Sequence, residues 1–197
     1  MGKNNRHGQA AILSGNQISK IRKNLSNASH RLLFDVAVYT GERWGAICQL
    51  EVADAYANPR KSQPLDYITF RARTRKASPD GTRKTRQVPV HPELKILLES
   101  YRAPNSGWLF PSIDGCNHIS LSAADKALRR ALTKAKLNNK GISTHSTRRT
   151  FITKLANSGV GIRTIQKLTG HQDVKTLMKY IEVTPDQEKN AIALLEN

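Results

Sequence analysis

The 197-residue chain is long enough for one domain with a sizeable core, and 32 Lys and Arg against 15 Asp and Glu leave a net charge of +17, which points to a polyanionic partner, nucleic acid first. An anionic membrane surface is the competing reading, but the sequence shows no long apolar run and no basic amphipathic anchor, so no membrane partner is expected. Cys48 and Cys116 make neither a disulfide framework nor a zinc pattern, so a reducing cytoplasm fits best.

Residues 1–13, MGKNNRHGQAAIL, are basic and polar and read as a flexible tail. They lack the apolar core of a secretory signal, and Arg6 stands where a myristoylation signal needs Ser or Thr. Residues 14–197 are expected to form a single domain. Ser14-Gly15-Asn16-Gln17 is a capping box that opens a short helix with Ile18, Ile21 and Leu25 on its apolar face. A second helix, about Ser29 to Thr40, buries Leu32, Leu33, Val36 and Ala37. Gly41 ends it in the left-handed conformation, which holds Arg43 at a helix-to-helix junction.

After Leu50 the pattern changes to period two. Residues 51–56 read as one strand, and Tyr67–Arg71 with Thr85–Val90 as a hairpin whose turn holds Ser78-Pro79-Asp80-Gly81. Arg71, Arg73, Arg75, Lys76, Arg83, Lys84 and Arg86 crowd this hairpin; Arg71, Arg73, Arg75, Lys84 and Arg86 are candidate DNA contacts. Pro92 opens a helix through Tyr101, after which Trp108 and Phe110 are expected in the core. Leu121, Ala124, Leu128, Leu132 and Ala135 then recur at helical spacing. Lys126, Arg129, Arg130, Lys134 and Lys136 fall mostly elsewhere on that wheel. Their basic face suits DNA, with Arg129 and Arg130 as candidate contacts.

Thr144 caps the next helix, which runs to Ser158 and stops at Gly159. His145 and Arg148 sit near its start on one side, with Arg149 as a further candidate DNA contact. Ile162, Ile165 and Leu168 make a short helix that Gly170 ends. His171 and Tyr180 are nine residues apart, which in unbroken helix sets them about 180° apart. A shared site needs a break, and Asp173 as an N-cap supplies it. Thr184-Pro185-Asp186-Gln187 starts a last helix with Ala191, Leu194 and Leu195. The fold class expected is α+β, mostly helical with a small antiparallel hairpin.

Two arginines, two histidines and a tyrosine suit chemistry on a phosphodiester. Attack on phosphorus develops charge on the non-bridging oxygens, and a guanidinium answers with a two-pronged donor that keeps its proton. Two arginines can do this without a metal ion, so neither metal nor cofactor is expected. A tyrosine phenol, with a pKa of about 10, is a poor nucleophile unless a neighbour takes its proton or a cationic site stabilises the phenolate.

These residues resemble those of the tyrosine recombinases, also called phage-integrase-type recombinases. Thr40-Gly41-Glu42-Arg43 is similar to the first arginine box of that family and His145-Ser146-Thr147-Arg148 to its His-x-x-Arg box. Leu168-Thr169-Gly170-His171, followed by Thr176 and Tyr180, is similar to the Gly-His box and nucleophile segment. The resemblance covers about residues 14–195, in the family's order. It implies the mostly helical catalytic-domain fold and double-stranded DNA as partner. Tyr180 would attack a DNA phosphate to give a 3′-phosphotyrosyl link and a free 5′ hydroxyl. Arg43, Arg148 and His171 would hold the phosphate oxygens, His145 would act as general base and Lys76, or alternatively Lys84, as general acid. It also implies self-association on DNA as a tetrameric synapse, with the C-terminal helix docking on a neighbouring protomer, and a cytoplasmic, nucleoid-associated location.

Three departures accompany the resemblance. Ala46 stands three residues after Arg43, where the family usually has an acid, and Thr147 stands where it usually has Leu. The family's N-terminal core-binding domain is absent, so the chain is either an excised catalytic domain or similar to the short recombinases that invert fimbrial promoters. The function expected is site-specific recombination, in integration, excision or inversion. A catalytically weakened DNA-binding remnant and a type IB topoisomerase-like relaxing enzyme are the alternatives.

Overall fold

In the computed structural model, which describes residues 10–75, 77, 81–171, 173–178, 188–189 and 192–193, the chain divides into two units, Met1–Phe151 and Ile152–Asn197. In the first, α1 (Gly15–Asn24) opens as its sequence requires. The Ser14 side chain accepts from the Gln17 N–H, and the Gln17 side chain accepts from the Ser14 N–H. Asn27 caps α2 (Ala28–Thr40) by accepting from the His30 N–H. Leu32, Leu33, Phe34, Val36 and Ala37 of α2 are all buried. α2 packs against α1, against the short α3 (Trp44–Ile47) and against α4 (Pro92–Ser100), while α5 (Leu121–Lys134) packs on α1 and α3.

Gly41 turns the chain between α2 and α3 at φ +60°, and a Cβ built there would lie 2.5 Å from Phe151 Cδ1. Only glycine satisfies both the left-handed backbone and that close approach. α3 follows with Arg43 at its N-cap position, φ −68° and ψ 137°.

The expected strand over 51–56 is replaced by a 3₁₀ turn, Val52–Asp54, followed by a three-residue strand, β1 (Tyr56–Asn58). The reason is a capping box: the Asp54 side chain accepts from the Glu51 N–H and the Glu51 side chain from that of Asp54. β1 pairs antiparallel with β2 (Gln63–Pro64). β3 (Tyr67–Phe70) and β4 (Arg86–Pro89) form the expected hairpin, with Ile68 opposite Val88 and Phe70 opposite Arg86. Its first strand ends at Phe70 and gives way to a 3₁₀ turn at Ala72–Thr74. Lys76 lies outside the described residues, as do Ser78, Pro79 and Asp80.

Phe110 is fully buried, as expected, whereas Trp108 is half-buried and meets His118 edge-on. Leu121 is exposed at the start of α5, but Ala124, Leu128 and Leu132 are buried. Cys48 is buried and Cys116 exposed, both as free thiols. Residues 10–13 depart from the tail expected of them. Leu13 is buried, and the Ala11 N–H reaches the Gly141 carbonyl at 3.1 Å and the Leu13 N–H the Thr150 hydroxyl at 2.8 Å. The apolar run Ala10-Ala11-Ile12-Leu13 supplies that attachment.

α6 (Thr144–Asn157) runs past the division between the units. Thr144 is its first residue rather than its cap. The capping contacts come from Ser143, whose hydroxyl accepts from the His145 N–H while its own N–H donates to Ser146 Oγ. In the second unit, α7 (Ile162–Thr169) ends at Gly170, φ +65°, whose N–H reaches the Gln166 carbonyl at 2.8 Å. α8 (Val174–Met178) begins after Asp173, whose carboxylate accepts from the Lys175 N–H at 2.8 Å. The break between His171 and the next helix is thus where the spacing requires it. The expected last helix from Thr184 lies outside the described residues apart from 188–189 and 192–193. Among the described residues no helix is long and apolar enough to cross a membrane.

Gly41→Ala should destabilise the protein by about 2 kcal/mol or more in urea unfolding, since strain at positive φ and overpacking against Phe151 add. A change below about 0.5 kcal/mol, the scale of a neutral surface substitution, would contradict this account of the turn.

Candidate active site

The site is built around Glu42, whose carboxylate is 1% exposed. Its Oε1 accepts from the Arg43 N–H at 2.8 Å and lies 3.9 Å from Arg148 Nη1. Its Oε2 takes Arg75 Nε at 3.2 Å, Arg86 Nε at 3.0 Å and Arg86 Nη2 at 2.9 Å. Burial works against ionisation of this carboxyl, but the guanidiniums of Arg86, Arg75 and Arg148 with the Arg43 N–H together hold it below its ordinary value. Burial, with Arg75 and Arg43 nearby, conversely lowers Arg86 to about 10, against the pull of Glu42. Arg86 Nη1 is buried with no hydrogen-bond partner among the described residues, and the same guanidinium lies 5.3 Å from the centre of the Phe70 ring.

Two segments far apart in sequence meet here. Arg148, 4% exposed on α6, donates from Nη1 to the Gly41 carbonyl at 2.8 Å, two residues before Arg43. Beside it the Trp44 indole N–H donates to Thr147 Oγ1 at 3.1 Å. That bond gives Thr147 a reason to be polar inside the helix. Arg43 is half-buried, and among the described residues its guanidinium has no ion-pair partner. His145 is exposed on the first turn of α6 whereas Arg148 is buried.

In the second unit His171 is 8% exposed in the turn after α7. Its Nδ1 lies 2.7 Å from Thr169 Oγ1, which is also 2.7 Å from the Ile165 carbonyl. The hydroxyl has one hydrogen and the carbonyl can only accept. Thr169 therefore donates to Ile165 and accepts from His171 Nδ1–H. Nε2 of the neutral ring is then an acceptor, and it donates to an anion only as imidazolium.

Several candidate DNA contacts have other partners. Arg75 and Arg86 belong to the buried Glu42 cluster. Arg71 is paired with Asp54 at 2.7 Å and Glu51 at 3.0 Å, and Arg73 with Glu51. Arg129 is held by Asp125 and the Ile142 carbonyl, and Arg149 by the Ala10 carbonyl at 2.7 Å. Lys84 and Arg130 are exposed. Tyr180 and Lys76 lie outside the described residues. Sequence reasoning missed Glu42, Thr169 and the Trp44–Thr147 pair. Thr169, two residues before His171, was open to inference as a local hydroxyl partner; the others need the tertiary structure. Among the described residues no group of three or more His, Cys, Asp or Glu side chains is placed to hold a metal ion.

The model of the phage integrase family matches residues 11–187, across both units. The chain is 26% identical over 112 residues to a tyrosine recombinase XerD of Brucella suis, an alignment covering 53% of this chain and 36% of the relative. It thus spans about a third of that relative's length. Among solved structures it is similar to the XerA recombinase, with a TM-score of 0.70, 22% identity, and 97% of this chain and 65% of that one covered. It is also similar to the XerH site-specific recombinase bound to its difH substrate, with a TM-score of 0.65, 21% identity, and 94% and 55% covered. These likenesses show the fold.

A carboxyl held below its ordinary value of 4.5 stabilises the fold fully above that pH, and the contribution is lost as pH falls through the lowered folded value. The stability gap between wild type and Glu42→Gln should be widest at neutral pH and narrow on acidification below about pH 4.5. Denaturant midpoints across that range test this; a gap independent of pH would contradict it.

Proposed function

The chain belongs to the phage integrase family, and from that premise we propose that it cuts and rejoins double-stranded DNA as a site-specific recombinase, through a 3′-phosphotyrosyl intermediate. The observation that carries this is the meeting of the two arginine segments. Arg148 bonds the Gly41 carbonyl at 2.8 Å, two residues before Arg43, and the buried Glu42 carboxylate takes the Arg43 main-chain N–H and lies 3.9 Å from Arg148. That arrangement suits a pair of guanidiniums holding one phosphate.

In this reading the Tyr180 oxygen attacks phosphorus and its proton passes to His145. The bond from phosphorus to the 5′ oxygen breaks, and Lys76 or Lys84 gives that oxygen its proton. Arg43, Arg148 and the imidazolium of His171 hold the non-bridging oxygens. Religation by a 5′ hydroxyl reverses these transfers, so the phosphodiester bond energy is kept and no cofactor takes part. Lys84 has support as an exposed lysine just before β4.

DNA as the partner is supported by the net charge of +17 and by the difH-bound relative of the same fold. Arg130 and Lys84 remain the candidate contacts, with Arg73, which is 58% exposed, as a third. We read residues 10–197 as one catalytic domain, an extension of the 14–197 boundary that follows from the attachment of Ala11 and Leu13. Assembly as a tetramer on DNA through the C-terminal segment, and a cytoplasmic, nucleoid-associated location, belong to the same proposal.

Incubation with nicked duplexes, denaturation and peptide mapping test it. The expected adduct is on Tyr180 at a 3′ phosphate, and it disappears in Tyr180→Phe. Arg43→Ala should slow adduct formation about 100- to 1,000-fold, the usual effect of removing one transition-state donor, with little change in DNA affinity. Tight binding without an adduct, or equal loss of binding and cleavage in Arg43→Ala, would overturn the reading.

A further inference from the structure

We propose that Glu42 is a positioning residue of this site, which takes over from the acid that Ala46 lacks and aligns the lysine-bearing hairpin with the phosphate-holding arginines. The inference rests on the function proposed above. Ala46 is buried at 3% exposure and has no charge to offer its neighbours. Glu42, one residue before Arg43, has a carboxylate that bridges two sides. Oε1 takes the Arg43 N–H at 2.8 Å and lies 3.9 Å from Arg148. Oε2 takes Arg75 and Arg86, which stand at the two ends of the hairpin excursion. Arg75 immediately precedes Lys76, and Arg86 follows Lys84 by two residues. Whichever lysine serves as the acid, an arginine within two residues of it in sequence is fastened to the carboxylate that takes the Arg43 N–H and lies 3.9 Å from Arg148.

Charge supports a functional reason for the cluster. Arg75 and Arg86 share the one Glu42 carboxylate, so this pair has surplus positive charge, and among the described residues Arg86 keeps an unpartnered Nη1. An ion cluster kept only for stability approaches balance, because unpaired buried charge is costly. A phosphodiester brings the missing negative charge. Glu42 then neutralises enough of the cluster for it to fold and leaves enough to attract the substrate.

The test uses single-turnover cleavage of nicked duplexes carrying either the natural bridging 5′ oxygen or sulfur in its place. A thiolate leaves without a general acid, so sulfur reports whether acid positioning has been lost. Glu42→Gln and Glu42→Asp are measured, together with the double variant Glu42→Gln/Ala46→Glu. The expected result is a loss of about a hundredfold on the oxygen substrate, the scale of a small misplacement of reacting groups. Most of that loss should be recovered on the sulfur substrate, with DNA affinity little changed and partial rescue in the double variant. Should Glu42→Gln fail to fold, Glu42→Asp, which keeps the charge and shortens its reach, is read in the same way. Equal losses on both substrates, or no loss in a folded variant, overturn the positioning role. Absence of an adduct with the wild-type protein on both substrates overturns the functional reading itself, and this inference falls with it.

Discussion

A single carboxylate buried among arginines holds together the part of the molecule that matters most. Taking an ion out of water costs several kcal/mol even after relaxation, and removing one partner of a buried pair typically costs about 3–5 kcal/mol. Glu42 tolerates burial because Arg75 and Arg86 approach within 3.2 Å and the Arg43 N–H within 2.8 Å. The rest of the junction follows from that placement. Glu42 can face inward only if α2 stops at Thr40 and Gly41 takes the left-handed turn, and Gly41 can turn there only because it has no Cβ to meet Phe151. The Gly41 carbonyl, freed from helical bonding, is then the acceptor for Arg148.

Charge elsewhere is divided between building the fold and facing solvent. The buried acids Asp35 and Asp54 each take an arginine, Arg22 and Arg71 respectively, at 2.8 Å and 2.7 Å. Arg129 and Arg149 bond main-chain carbonyls. The excess of basic residues is therefore not a uniform coat. Lys126, Arg130 and Lys134 on α5, with Arg83 and Lys84 before β4, are among the exposed ones, and exposed charge is where a polyanion's field is met.

Local features were legible in the sequence because their causes are local. The Ser14–Gln17 box, the left-handed Gly41 and Gly170, the Asp173 cap and the β3–β4 hairpin each follow from a few adjacent residues. The Glu51–Asp54 box is equally local, but the period-two pattern over 51–56 masks it in the sequence. What escaped depends on partners far along the chain. Glu42 reads only as the neighbour of Arg43 in an arginine box, and nothing near it announces Arg86, 44 residues away. Arg75 and Arg86 look like DNA contacts for the same reason: sequence shows their charge and hides their burial. Arg43, His145, Arg148 and His171 stand out in the sequence by the boxes they belong to; the hydroxyl of Thr169 beside His171 and the indole of Trp44 on Thr147 do not.

The most direct test of the central claim is a crystal structure of the protein on nicked DNA with orthovanadate bridging the ends, which mimics phosphorus under in-line attack. The account predicts the Tyr180 oxygen at one apex, Arg43 and Arg148 on the equatorial oxygens, and Glu42 still clasped by Arg75 and Arg86 behind them. Vanadate with Tyr180 remote from it, or with Arg43 and Arg148 on different phosphates, would contradict the account.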